Sequence, residues 1–379
     1  MPSLHFRNQV IIGNPVPVMV APDFDLDLGF TMKKIRLIML PVMLLMLCML
    51  TGCSEKNTKT EEGMQLLETL QYSAALEVFD EAQEAGENMR LISRGRGIAY
   101  LGEAKYEEAK ECFLLSLSLS NGFLQDIDYD INFYLAESYV GLGEYEEAEA
   151  VYSSILALDE QPRAYYLRGN VRLLQGSFTA GQDDFAKAIA LSPKDVDLVI
   201  RIYSVLEANG YAQDGQEYLQ NALDSYEKNM TPLNKGKIYY FMGQYQTAAV
   251  SLEEARSKDN NDAEASLYLG KAYEAVGEYN YATNVYENYL ARNPDNAVLY
   301  NQLAICKMKL GDYEGALVCV QAGMQIGDAT MMQSLAYNEI VAYEYLGQFQ
   351  KAQALIYGYL ENYPTDEEAL RESIFLATR

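Results

Sequence analysis

Beyond residue 56, apolar residues recur at helical spacing in short segments, and the same pattern returns again and again down the chain. The clearest copies read Gly-x-Tyr-x-x-Ala: Gly143/Tyr145/Ala148, Gly243/Tyr245/Ala248, Gly277/Tyr279/Ala282 and Gly311/Tyr313/Ala316, with Gly347/Phe349/Ala352 as an aromatic variant. Tyr245, Tyr279 and Tyr313 stand 34 residues apart. A large residue follows each alanine by four positions: Tyr152, Leu252, Tyr286, Val320 and Ile356. A small one precedes the glycine by seven, at Ala136, Gly236, Gly270 and Ala304. Looser copies keep the phase at Tyr72/Ala75/Phe79, Tyr106/Ala109/Phe113 and Phe178/Gly181/Phe185.

Each position has a physical reason. The glycine occupies a turn between two antiparallel helices, where a positive φ costs it little. Small residues let two helix backbones approach closely, and aromatic residues fill the wedge between one hairpin and the next. Pro193, Pro294 and Pro364 close their copies, because proline has no N–H and clashes with the preceding turn. A lone hairpin cannot bury its apolar face, so stacking is obligatory. The pattern predicts about nine hairpins over 56–365, starting near residues 56, 90, 129, 162, 195, 229, 263, 297 and 333. Ser120-Asn121-Gly122 is expected to hold an extra loop between the second and third. The fifth hairpin reads as degenerate, with Ile202 and Asp214 at its small positions, and is expected to divide the array into two blocks meeting near 195–229. Asp366 to Thr378 is amphipathic, so 366–379 is expected to form a capping helix over the last apolar face.

This pattern resembles the tetratricopeptide repeat family over nearly all of the chain beyond residue 56. The resemblance implies an all-α fold, a right-handed α-solenoid of about nine helical hairpins with a C-terminal capping helix. It also implies a concave groove lined by the first helix of each hairpin. The family's groove positions map to Arg94 and Ile98, Phe133 and Glu137, then Arg163, Tyr166 and Asn170, and then Tyr203. They continue through Lys237 and Tyr240, Leu267 and Lys271, Asn301 and Ile305, and Tyr337. Candidate partner-binding residues are Arg94, Arg163, Tyr166, Asn170, Tyr203, Lys237, Tyr240, Lys271 and Tyr337. The repeat does not require these four tyrosines, which offer broad amphipathic contact at low entropic cost. The basic residues suggest an extended peptide or partner helix carrying acidic groups. Some family members clamp a terminal carboxylate with Lys and Asn at fixed groove positions. Asn170, Lys237 and Lys271 do not occupy three consecutive repeats, so that function is not carried over.

Composition narrows the chemistry. The 379 residues carry a formal net charge of -25, which disfavours nucleic acid as a partner. The hydrophobic fraction of 49% argues against wholesale disorder. His5 is the one histidine, so the commonest general base and metal ligand is scarce. Cysteines 48, 53, 112, 306 and 319 form no CxxC pair. Cys112, Cys306 and Cys319 read as small apolar residues of helices. Asp126/Asp128/Asp130 superficially resembles an oxygen-ligand calcium loop, but without its glycine and distal glutamate. Glu144, Glu146 and Glu147 read as a solvated helix face. With no nucleotide loop or nucleophile elbow either, neither enzyme activity nor a cofactor nor a metal is expected.

The segment 32–52 reads as an export leader: Lys33, Lys34 and Arg36, then the apolar run Leu37–Leu50. Leu50-Thr51-Gly52-Cys53 resembles the lipobox of bacterial lipoproteins. That resemblance implies thioether lipidation of Cys53 and cleavage before it. Residues 53–56 would form the lipidated tether, and the array would lie on the extracytoplasmic side of a bacterial membrane. A plain N-terminal anchor is the competing reading. Residues 1–31 precede a leader with its own methionine and read as an upstream start chosen in error, with no expected fold. The expected function is a membrane-anchored protein–protein interaction scaffold of the cell envelope. The alternative is a ligand-capture lipoprotein that binds peptide or glycan for a transporter.

Overall fold

A computed structural model of the chain describes residues 57–379. The N-terminal extension, the leader, Cys53 and the tether lie outside the described residues. The described chain is all-helical, without strands. It divides into two compact units, 57–160 and 161–379.

The first unit holds three hairpins: α1 (Thr58–Glu68) with α2 (Tyr72–Glu84), α3 (Met89–Gly102) with α4 (Tyr106–Ser118), and α5 (Asp126–Leu142) with α6 (Tyr145–Leu158). The second begins with α7 (Pro162–Leu174) and α8 (Phe178–Leu191), then α9 (Val196–Ala208) and α10 (Ala212–Tyr226). A short 3-10 turn at Glu227–Asn229 leads to α11 (Pro232–Phe241) and α12 (Tyr245–Lys258). There follow α13 (Ala263–Ala275) with α14 (Tyr279–Leu290), α15 (Ala297–Lys309) with α16 (Tyr313–Ile326), and α17 (Ala329–Tyr345) with α18 (Phe349–Asn362). The last helix, α19 (Glu367–Leu376), packs on α18 as the expected cap. Within each unit every helix packs on its successor, and first helices of neighbouring hairpins touch, as α1 does α3 and α11 does α13. Among the described residues no helix is long and apolar enough to cross a membrane.

The intrahairpin turn is one device used repeatedly. Gly143, Gly243, Gly277, Gly311 and Gly347 all have φ between 69° and 82°. The residue after each donates its N–H back to a carbonyl five residues earlier, as Gln244 does to Tyr239 at 2.9 Å. This is the Schellman bond that satisfies an orphan carbonyl at the helix end. The first two hairpins make the same bond without glycine, from Gln71 to Leu66 and from Lys105 to Tyr100. There Leu70 and Ala104 take the left-handed conformation, each at φ 56°.

The small positions work by close approach. A Cβ on Gly270 would lie 2.1 Å from the Tyr286 ring, and one on Gly236 would lie 2.4 Å from Leu252. Ala248, Ala282, Ala316 and Ala352 are fully buried, as are the large residues four positions later.

The fifth hairpin, α9–α10, differs from expectation. Its turn glycine is Gly210 (φ 85°), one residue later than the phase that put Asp214 at a small position. The small residue is Gly215, whose Cβ would come within 3.0 Å of Tyr203. Phased on Gly210, this hairpin keeps the repeat's register, and it packs against α8 and α11 more lightly than the following hairpins pack on one another. The compact units meet in the sequence at Glu160/Gln161.

Candidate functional site

The expected groove residues lie on first helices, and counting back from the turn glycine sorts them into rows. Tyr166 and Tyr337 lie ten before it, and Asn170, Lys237 and Lys271 lie six before it. Arg94 occupies the ten-before position relative to Ala104, in the separate unit 57–160.

Arg94 is already engaged: its Nε donates to Asp130 Oδ2 at 2.6 Å, and its guanidinium lies 6.0 Å from the Tyr134 ring centre. Neighbouring Arg90 pairs with Asp128, whose carboxylate also accepts from the Gln125 N–H at 2.8 Å and so caps α5. Two of the three aspartates of the calcium-like triplet are thus held by arginines. Among the described residues no group of three or more His, Cys, Asp or Glu is placed to hold a metal ion.

In the unit 161–379 the candidates separate into covered and accessible groups. Tyr203 is 6% exposed, packs edge-on to Phe241 with centroids 5.9 Å apart, and donates to Glu207 Oε1 at 2.5 Å. Burial, and then Glu207, push its phenol up to about 12. Counted from Gly210, Tyr203 sits seven before the turn, at the small position. It is therefore a packing residue, and its placement in a groove row came from the one-residue slip in phase. Tyr337 is 1% exposed against Tyr359, with ring centroids 5.8 Å apart.

Lys237 is buried, and its ammonium donates to both Asp197 and Glu264. Burial by itself lowers a lysine's pKa, but these two carboxylates hold Lys237 above its ordinary value. Three first helices, α9, α11 and α13, are thereby tied by one ammonium. With two carboxylates around one cation, this place offers no net positive charge to an acidic partner. Both carboxylates stand thirteen before their turn glycines, Gly210 and Gly277. That regular spacing was the available sequence signal for the partnership.

Lys271 is different. It is buried, and burial lowers its pKa, only partly opposed by Glu274. Glu274 accepts from the Tyr286 hydroxyl at 2.5 Å, and its own pKa is raised by burial. Lys271 makes no hydrogen bond or ion pair with the described residues.

The accessible candidates are Tyr166, Asn170 and Tyr240, which are partly exposed, and Arg163, which is exposed. Tyr166 lies under Arg201, 5.8 Å from guanidinium to ring centre, and beside Phe185. Tyr240 joins Phe241, Tyr245 and Tyr268 in an edge-to-face cluster with centroids 5.4 to 5.5 Å apart. Tyr268, not among the candidates, also takes the Lys237 ammonium 5.6 Å from its ring centre. Burial raises the Tyr166, Tyr240 and Tyr268 phenols, so all three stay neutral at physiological pH. The arrangement is suited to contact through neutral aromatic faces and amides, with a buried Lys271 that makes no ion pair among the described residues.

Cys306 and Cys319 are buried and Cys112 is partly so; none forms a disulfide among the described residues. Burial raises all three thiols, which disfavours the thiolate form.

Comparison with known proteins agrees with this architecture. Residues 133–196 and 233–280 match one tetratricopeptide repeat model, and residues 275–336 match another. The chain contains tetratricopeptide repeats. Among curated proteins, the BBSome complex member BBS4 of Bos taurus is 19% identical over 275 residues, covering 72% of this chain and 45% of that protein. A TPR repeat-containing protein of Methanocaldococcus jannaschii is 23% identical over 242 residues, covering 60% and 41%. The chain thus spans less than half the length of these relatives. Among solved structures, a tetratricopeptide repeat protein from Parabacteroides merdae aligns over 77% of this chain and 99% of its own, at 13% identity and a TM-score of 0.43. Human IFIT1 aligns over 86% and 91%, at 18% identity and a TM-score of 0.39.

Proposed function

We propose that this chain is a lipid-anchored scaffold of the bacterial cell envelope, tethered through Cys53 on the extracytoplasmic side. In this reading it holds a protein or peptide partner along the first helices of the unit 161–379. Repeats of this class serve as protein–protein interaction scaffolds. The observation that carries the reading is the set of partly exposed Tyr166, Asn170, Tyr240 and Tyr268 on α7, α11 and α13, with a buried Lys271 on α13 that makes no ion pair among the described residues. A partner carboxylate reaching Lys271 would favour the charged ammonium that burial disfavours. Neutral tyrosines would supply contact area without charge. The leader and the Leu50-Thr51-Gly52-Cys53 sequence support the tether.

The test is photo-crosslinking in living cells from an analogue placed at Tyr240, with a second probe at Val250, an exposed residue of α12. A single protein adduct from Tyr240 that is absent from Val250, and weakened by Lys271→Ala, is the expected result. A folded, membrane-associated protein that yields no adduct from Tyr240 would sink the groove reading. It would favour capture of a small peptide or glycan for a transporter. Palmitate labelling that survives Cys53→Ala would sink the tether.

A further inference from the structure

We propose that the loop between α4 and α5 rests on the bilayer, with Phe123 and Leu124 entering the lipid interface beside the tether. This rests on the membrane-anchoring reading above, and adds to it a second, non-covalent contact.

The loop departs from the chain around it. Cys112 to Gln125 carries no charged residue, although 22% of the chain is charged. Phe123 is 77% exposed and Leu124 57%, and Leu119 and Leu115 are also exposed on the end of α4 that leads into them. Gly122, at φ 83°, turns the chain, and the Asn121 side chain accepts the Phe123 N–H at 3.0 Å. The loop tip therefore has a fixed turn, a satisfied donor and two adjacent apolar side chains facing outward. That combination is costly in water and suited to a lipid headgroup boundary.

Its position relative to the start of the described chain selects the occupant. Asn57, which caps α1, accepts the Asn88 N–H at 3.1 Å, and Glu87 accepts the N–H groups of Lys59 and Thr60 at 2.9 and 2.8 Å. The start of α1 is thereby tied to the turn between α2 and α3. Arg90, two residues beyond Asn88, donates to Gln125 Oε1 at 2.8 Å. An open cavity of about 480 Å³ lies between Glu87–Arg90 on one side and Leu119, Asn121 and Gln125 on the other. Asn57, the α2–α3 turn and the apolar loop therefore share one edge of the unit 57–160. Asn57 lies four positions beyond Cys53, at most about 14 Å of extended chain. A lipid on Cys53, or an apolar anchor ending there, holds that edge against the membrane surface. The loop is uncharged, so the chain's acidic character does not repel the headgroups at that point.

The chain has no tryptophan, so Phe123→Trp introduces a single indole, excited selectively at the red edge where tyrosine does not absorb, at an exposed site that core packing does not use. The experiment uses the full chain, processed in bacterial cells and reconstituted into phosphatidylethanolamine–phosphatidylglycerol vesicles doped with brominated phosphatidylcholine. Val250→Trp serves as the control. The expected result is blue-shifted emission from Phe123→Trp, quenched by bromines near the headgroup end of the acyl chains, with Val250→Trp unaffected. A vesicle-bound protein whose Phe123→Trp emission is neither shifted nor quenched overturns the loop contact and leaves the anchor standing. A blue shift without bromine quenching assigns the loop to a protein partner or to the chain's own N-terminal segment, and also overturns it. A protein that does not stay with the vesicles overturns both readings.

Discussion

Ala104 and Leu70 carry a strain that the later hairpins avoid. Both sit at φ 56°, where Gly143, Gly243 and their equivalents stand in other copies. A Cβ in that conformation crowds the neighbouring carbonyl, at a cost of roughly 1–2 kcal/mol, and glycine escapes it in exchange for some chain entropy. Ala104→Gly should therefore stabilise the chain by about 0.5–1 kcal/mol, and Gly143→Ala should destabilise it by about 1 kcal/mol. Urea denaturation of the two variants checks this, and a loss of stability in Ala104→Gly would contradict it. At the same scale, the sequence pointed to positions on the first helices of the hairpins but not to how covered their side chains are. Lys237 looked available for an acidic partner because its carboxylates lie 40 and 27 residues away in the chain. Tyr203 looked accessible because a one-residue slip in phase moves a side chain about 100° around a helix.

The capping helix shows how an element can be held by a proton. Glu344 of α17 is buried, and neither of its carboxyl oxygens, nor Oε1 of Glu372 on α19, has a hydrogen-bond donor among the described residues. Burial and the facing Glu372 push Glu344 up to about 8. Glu372 is itself raised, by burial first and with Glu368 adding repulsion. A carboxyl raised in the folded state binds its proton more tightly there than in the unfolded chain. Its contribution is full below the ordinary carboxylate range and is lost as pH rises through about 8. Amide protection of α19, corrected for intrinsic exchange, should therefore fall from about pH 5 to about pH 9, and Glu372→Gln should flatten that fall. Protection that holds or grows over that range would refute a protonated Glu344 as the support of α19. The amphipathic pattern of 366–379 made the helix itself legible, but its partner carboxylate lies 28 residues earlier and follows no repeat rule.

At the scale of the whole molecule, a repeat array distributes its stability locally, because each hairpin contacts only its neighbours. Residues 57–160 and 161–379 form separate compact units. Gly270→Ala drives a Cβ into the Tyr286 ring, which fully fills its site and donates to Glu274. It should cost about 2–3 kcal/mol by overpacking. Hydrogen exchange in moderate urea should register that loss in the helices of 161–379 and leave 57–160 unchanged. Equal loss in both units would mean that the chain unfolds as one.

The sequence by itself determined the hairpins, their turns, the loop at Ser120-Asn121-Gly122 and the terminal helix. Each of these depends on interactions within about one repeat, and repetition makes such a signal visible many times over. The tertiary structure decided what crosses between hairpins. It buried Tyr203 and Tyr337, gave Lys237 its two carboxylates, left Lys271 buried without an ion pair among the described residues, and placed the unit boundary at Glu160/Gln161. The physical reason is distance along the chain. Burial and charge pairing are settled by residues on other helices, about one or more repeats away, where the local pattern carries no information.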